Sequence, residues 1–367
     1  MSDKMTKPAG ATRSVSRRDF LKASLGAGIG LGSTYLLACA APAQPTPVPK
    51  PTPAAAVAAP TPAQAPQAPA TPTVMVPKKV VFASNTGAVG GLHAIIKNKK
   101  IDLKHGVDIE FKTLEVAEAM MAVALRRVDV GGYAPISAAT AINEGKPIVL
   151  FAPALWNNTN FIVAKDSPYT KVADLKGKKV TTLQKVSGVY TSTQIIFKEM
   201  GLDFEKDFQL VTAAIPVQIG LLERKEVDAA IFSDPWALRV IETGNFRELA
   251  SANDLWKGIT GQPMFFIGVG AHREWYEQNK DTTRRLLNCL IEGAKYVQEH
   301  PEAIEEIKDL LDLKTPREVE LAMKRMPPFY AAQWDDNTFK NAELIIKRSA
   351  ELKIIEQVPK EGVFVVP

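Results

Sequence analysis

The sequence predicts a two-lobed α/β protein, hinged where the chain crosses between lobes and finished by extra C-terminal helices. Three observations carry that expectation. Short apolar segments alternate with stretches of helical period from residue 78 onward, the pattern of mostly parallel sheets joined by helices. One unit of that pattern occurs twice with matching landmarks. The 290 residues that carry it are long for one small domain and comfortable for two lobes.

The first 77 residues read as processing and spacing rather than fold. Ser16-Arg17-Arg18-Asp19-Phe20-Leu21-Lys22 is a twin-arginine pattern, and a Gly/Ala-rich apolar run over residues 23–38 follows it. Together they give the basic and hydrophobic regions of a Tat export signal. Leu36-Leu37-Ala38-Cys39 resembles a lipobox, which would leave Cys39 as a lipidated N-terminus. As a membrane span the run is short, since about 20 residues are needed. Residues 39–77 hold 12 of the 26 prolines, among Ala, Thr and Gln. Such a segment buries no core and stays extended at about 3.1 Å per residue, so it serves as a stalk of about 100 Å.

Charge and cysteine content follow from that division. The chain carries a net +5, but residues 1–38 hold six Lys/Arg against two Asp/Glu. From Cys39 onward there are 39 basic and 38 acidic residues, so no basic surface for nucleic acid is implied. With Cys39 acylated, Cys289 stands alone, which rules out an intrachain disulfide and a cysteine-based metal site.

The repeat is concrete. Residues 79–83 read as a strand, 84–91 as a Gly-rich loop, 92–99 as a helix, 107–113 as a strand, 116–127 as a helix and 128–133 as a strand. The same order returns as strand 179–183, loop 184–189, helix 191–200, strand 208–212, helix 217–226 and strand 227–232. Gly87 to Asp129 spans 42 residues and Gly188 to Asp228 spans 40. Each aspartate belongs to a Val-Asp pair after two basic residues, Arg126-Arg127 or Arg224-Lys225, and each following strand ends in a proline loop, at Pro135 or Pro235. Residues 274–352 are mostly helical by pattern, and Pro301 suits a first helical turn. Crossings near residues 157–161 and 263–269 give a discontinuous first lobe, 78–160 with 267–367, and a second lobe of 161–266.

In open α/β sheets the carboxyl ends of strands and the adjoining helix N-termini form a ligand crevice. Two such lobes facing each other make a hinged cleft. The loops that would line it place Asn85, Thr86, Gly87 and Ala88, with Tyr133 and Ser137, on the first lobe. Ser187, Gly188, Thr191, Asp234 and Trp236 would line it from the second. Backbone N–H groups at Thr86–Ala88 are candidate donors, with an ordinary strand-to-helix turn as the competing role. Ser187 and Thr191 either bind the ligand or cap a helix, and Asp234 either accepts from a ligand or caps the next helix. Tyr133, Trp156 and Trp236 either stack on a planar solute or fill core. Asn157, a candidate ligand-binding residue, lies with Asn158 and Asn160 at the first crossing, where their side chains either donate hydrogen bonds at the hinge or belong to an ordinary loop. The four histidines, His93, His105, His272 and His300, show no metal-ligand spacing, and only His93 falls near the expected cleft. No P-loop or Gly-x-Ser-x-Gly elbow occurs. No cofactor, metal or catalytic group is expected.

Asp166-Ser167-Pro168-Tyr169-Thr170-Lys171-Val172-Ala173-Asp174-Leu175-Lys176-Gly177-Lys178-Lys179-Val180 resembles the stretch that opens the second lobe in the nitrate/sulfonate/taurine-type binding proteins, which include thiamine-pyrimidine-precursor binders. Met200-Gly201-Leu202-Asp203 and Glu226-Val227-Asp228-Ala229-Ala230, with Pro235 beyond, resemble two further segments of that family. The resemblance covers most of residues 76–352. It implies a periplasmic-binding-protein-like type II fold and an extracytoplasmic solute-binding lipoprotein of an ABC importer. A permease and an ATPase would be its partners, and the solute a sulfonate, nitrate, pyrimidine or aromatic acid. A monomer on the outer face of the cell membrane is expected. Two alternatives belong to other classes: a pyrimidine-precursor synthase on the same fold, and a receptor subunit of a TRAP or signalling system. The synthase branch carries a cysteine-rich motif that is missing from this sequence.

Overall fold

The computed structural model describes residues 76–367; the twin-arginine segment, Cys39 and the proline-rich stretch through residue 75 lie outside the described residues. The first lobe opens with β1 (Lys78–Ser84), α1 (Ala88–Asn98), α2 (Ile101–Lys104), β2 (Val107–Thr113), α3 (Val116–Ala124), β3 (Val130–Tyr133), α4 (Pro135–Asn143) and β4 (Ile148–Trp156). The chain then crosses into β5 (Thr159–Ala164), β6 (Lys179–Thr182), α5 (Gly188–Glu199), β7 (Gln209–Thr212), α6 (Ile215–Glu223), β8 (Ala229–Ser233), α7 (Trp236–Glu242), β9 (Phe246–Ser251) and α8 (Ala252–Thr260). It returns through β10 (Phe265–His272) and ends in α9 (Arg273–Gln278), α10 (Lys280–Glu299), α11 (Pro316–Arg325) and α12 (Asp336–Glu351).

Two five-stranded sheets result, ordered β2-β1-β3-β10-β4 and β7-β6-β8-β5-β9. They are built alike. In each, three parallel strands are followed by one antiparallel strand that arrives from the other half, β10 in the first and β5 in the second. That strand also pairs antiparallel with the outer strand, β4 or β9. The two crossings run side by side, because Asn157 N donates to Met264 O at 2.9 Å.

The repeated landmarks have a structural cause. Arg126 and Lys225 adopt the left-handed backbone, at φ 58° and 57°, and so end α3 and α6 in the same turn. Three residues on, Asp129 Oδ2 accepts from Val81 N at 2.8 Å and Asp228 Oδ2 accepts from Lys179 N at 3.0 Å. Each Val-Asp aspartate thus ties the entry of its strand to the neighbouring parallel strand. The motif around Asp174 is also structural: its Oδ2 accepts from Thr170 N at 2.8 Å and Lys171 N at 3.1 Å, closing the turn that leads into β6.

Both ligand-side helices begin earlier than the sequence suggests, α1 at Ala88 and α5 at Gly188. The expected Gly-rich loop 84–91 is half helix. Gly90 and Gly91 lie within that helix, and close neighbours leave no room there for a side chain: a Cβ would meet Asn85 O at 2.0 Å at Gly90 and Ile307 at 3.0 Å at Gly91. His93 is buried inside the first lobe, away from the cleft expected for it. Its Nδ1 lies 2.8 Å from Ser84 Oγ, and its ring stacks on Phe111 at 4.4 Å. Cys289 is buried in α10, where burial pushes its thiol pKa up.

Candidate functional site

A cavity of about 800 Å³ lies where the carboxyl ends of the strands of both sheets face each other. The β1–α1 turn contributes Asn85, Thr86 and Ala88, and the turn after β3 contributes Ala134. From the second lobe come Ser187 and Gly188 at the start of α5, and Ser233, Asp234 and Trp236 at the β8–α7 junction. Leu155, Asn158, Phe266 and Ile267 close it at the crossings.

The lobes touch through two glycines at equivalent places. Gly87, the N-cap of α1 at φ 96°, lies under the Trp236 ring, so that a Cβ there would meet Trp236 Cη2 at 2.5 Å. Gly188, the first residue of α5, faces the first lobe, and a Cβ there would meet Phe266 at 2.8 Å and Ala134 at 3.3 Å. Only an absent side chain permits either approach.

Of the thirteen residues named from sequence, seven line this cavity: Asn85, Thr86, Ala88, Ser187, Gly188, Asp234 and Trp236. Gly87 contributes backbone beneath Trp236. Tyr133, Ser137 and Thr191 line a second cavity of about 430 Å³ between α3, α4 and α5. There Tyr133 Oη donates to Met120 O, and Ser137 Oγ donates across the lobes to Val186 O at 2.7 Å. Asn157 is buried at the crossing, accepting from Thr159 N at 2.8 Å, and Trp156 packs edge-on against Phe265 at 5.8 Å; neither lines a cavity described here.

Several of these residues hold the fold and the site together. Ser187 Oγ accepts from Tyr190 N at 3.2 Å and caps α5 while facing the cavity. Asp234 is 0% exposed; its Oδ1 accepts from Leu238 N at 3.2 Å in the first turn of α7, and its Oδ2 accepts from Arg325 Nε at 3.0 Å. Burial pushes the Asp234 carboxyl pKa up, and Arg325 opposes that shift.

Among the lining groups that the sequence did not single out are Arg239 and Asp312. Arg239 sits three residues past Trp236, one helical turn on, which was the only available signal. Its Nη2 pairs with Asp312 Oδ2 at 2.6 Å, and its Nε is buried with no acceptor among the described residues. Asp312, with Leu310 and Leu311, belongs to a strap between a 3-10 turn (Pro301–Ile307) and α11. The 3-10 turn contacts α1 of the first lobe on one side, and α11 contacts α7 of the second on the other. Asn158, read as hinge, is the crossing asparagine that reaches the cavity.

Two α/β lobes facing each other over a cleft at their strand ends have the architecture of the periplasmic-binding-protein fold. The chain belongs to the NMT1/THI5-like family, whose model matches residues 103–304. A search of curated proteins finds no match. Among solved structures, the periplasmic aliphatic sulphonate binding protein SsuA from Escherichia coli is 18% identical, with 79% of this chain and 93% of that chain covered and a TM-score of 0.64. The periplasmic nitrate-binding protein NrtA from Synechocystis PCC 6803 is 16% identical, with 63% and 66% covered and a TM-score of 0.54. A Candida albicans protein described as having the generic periplasmic binding protein fold is 14% identical, with 75% and 95% covered and a TM-score of 0.56.

Proposed function

We propose that this protein captures a small solute between its lobes and delivers it to the permease and ATPase of an ABC importer. One observation carries the reading. The strand ends of both repeats converge on a single cavity of about 800 Å³, within the size range of small-molecule sites. The sulphonate- and nitrate-binding proteins that share the fold support it. The reading takes Asn85, Thr86, Ser187, Gly188, Asp234 and Trp236 as the ligand-facing set. It assigns no catalytic role: Asp234 is held by Arg325 and Ser187 by Tyr190 N, and no histidine lines the cavity. The twin-arginine segment and Cys39 support export and lipid anchoring on the outer face of the membrane, with residues 39–77 as the stalk.

A native-state ligand raises thermal stability by mass action, by about 2.7 kcal/mol at one hundred times Kd. Thermal unfolding of the purified protein against a broad library of metabolite-sized solutes is therefore the direct test. Saturable stabilisation by a solute class supports capture; turnover of a stabilising solute would instead favour the synthase alternative. For the anchor, Cys39→Ala should move the protein from the membrane fraction to the soluble one, and retention in the membrane would refute the lipobox reading.

A further inference from the structure

We propose that the captured solute is an organic anion whose charged group takes the Arg239 guanidinium over from Asp312, so that Asp312 is a competitor built into the cavity wall. This rests on the solute-capture reading and adds the chemistry of the solute and the pair of residues that selects it.

Arg239 is the cation of the cavity wall. The charged side chains that line the cavity are Glu115, Glu118, Asp234, Arg239 and Asp312. Asp234 is paired with Arg325 at 3.0 Å, and Glu115 and Glu118 are exposed to solvent, where salt screens them. The Arg239 side chain keeps 21% of its surface exposed, so it can be reached from the cavity. A guanidinium carries five N–H donors, and this one meets a single acceptor among the described residues, Asp312 Oδ2 at 2.6 Å from Nη2. Nε is covered, so the solute is met by the Nη groups. Arg239 lies one helical turn past Trp236 on α7, and Leu310 and Leu311 precede Asp312 on the strap; all of them line the cavity. A charged group on Arg239 thus has aromatic and apolar surface beside it, which suits a ring-bearing carboxylate or sulfonate over a bare inorganic ion.

Asp312 can release Arg239 without being left unpaired. Its other oxygen, Oδ1, pairs with Lys314 Nζ, and Lys314 has no second ion-pair partner among the described residues. Lys314 comes first among the groups that hold the Asp312 carboxyl below the usual carboxylate range, with Arg239 acting after it. Two cations therefore share one carboxylate, which leaves one positive charge without a counter-charge. A solute anion balances it: Lys314 keeps Asp312, and Arg239 takes the solute. Neither side is left with an unpaired charge, which is what makes the exchange cheap. Asp312 offers Arg239 one oxygen, whereas a carboxylate or sulfonate can present two to the planar fork. The Asp312 side chain is 46% exposed on the strap and so has solvent to turn into.

The experiment is isothermal titration of the full chain in mild detergent. Its probes are matched pairs, benzoate with benzamide, benzenesulfonate with benzenesulfonamide and naphthoate with naphthamide, together with the tightest hits of a broad solute library. The expected result is that the tightest ligands are anions, bound at least about 10-fold more tightly than their neutral amides. Arg239→Gln should abolish that preference. Asp312→Asn should widen it by about a further 10-fold, because the competitor has lost its charge. Asparagine suits the left-handed backbone of Asp312, at φ 56°, so that variant keeps the strap. An ion pair that only held the wall together would give the same sign for both variants, since either one would loosen it. Should Arg239→Gln fail to fold, Arg239→Lys keeps the charge without the fork and should shrink the preference. The inference is wrong, while solute capture stands, if the tightest ligands are not anions or if the Arg239 variant leaves the preference intact. It is equally wrong if Asp312→Asn leaves anion binding unchanged or weakens it. If no solute of any class binds, the capture reading falls and takes the inference with it.

Discussion

Substituting Gly87 by alanine tests whether the lobes meet as described. Gly87 has φ 96° and ψ −157°, a region that only glycine occupies without strain. Holding an L-residue there costs roughly 1–3 kcal/mol. The new methyl would also sit 2.5 Å from Trp236 Cη2, in the opposite lobe, and the ring must move or the lobes must part. At about 2 kcal/mol in total, and roughly 2–4 °C per kcal/mol for a chain of this size, Gly87→Ala should lower Tm by about 4–8 °C. Gly177→Ala is the control, since Gly177 has φ 78° with nothing within 4 Å of the added carbon. It carries backbone strain alone, about 1 kcal/mol. The contact is isolated by repeating Gly87→Ala in a Trp236→Ala background, where the loss should shrink to the backbone cost. Calorimetry of wild type, the three single variants and the Gly87→Ala/Trp236→Ala double variant reads it. A Gly87→Ala protein within 1 °C of wild type, or an equal loss with and without the Trp236 ring, would refute the reasoning.

Two other perturbations follow from buried charge. Burial holds the His93 imidazole pKa down at about 3, against 6.5 in the unfolded chain. Below pH 6.5 the unfolded state binds a proton that the native state refuses, so this stability is full above 6.5 and falls away toward pH 3. Between pH 8 and pH 5 the loss is about 2 kcal/mol. Urea unfolding at the two pH values should show His93→Phe losing less than wild type by that amount; parallel pH dependence would mean His93 is not buried in the native state. Arg325 is the counter-charge of Asp234, so Arg325→Met should destabilise by about 3–5 kcal/mol, read as a lower urea midpoint. Adding Asp234→Asn should recover part of the loss, and no recovery would mean the pair is not what Arg325 contributes.

The two-lobed plan was legible because its signals are local. The left-handed turns at Arg126 and Lys225 and the bonds from Asp129 and Asp228 to the adjacent strand repeat at one spacing. Helix starts were less so. Gly90 and Gly91 read as loop residues, yet they lie inside α1, with Asn85, Ile307 and Tyr330 close against them. Glycine is chosen there for space, which is limited at Gly90 by the nearby backbone of Asn85 and at Gly91 by residues more than two hundred positions away.

The sequence by itself determined the two-lobed plan, the strand-end loops and seven of the residues that line the cavity, since a loop that follows a parallel strand must emerge at the sheet's carboxyl edge. The proposal of export and lipidation rests on sequence alone, in residues 16–39. Only the tertiary structure decided which side chains turn inward. Tyr133, Ser137 and Thr191 were placed correctly along the chain but face the second cavity, because each is rotated about its helix or strand away from the cleft. Arg239 and Asp312 meet across 73 residues, and Arg325 reaches Asp234 across 91. The segment that brings those partners together is held by its 3-10 turn against α1 and by α11 against α7, and no local spacing in the sequence encodes those contacts.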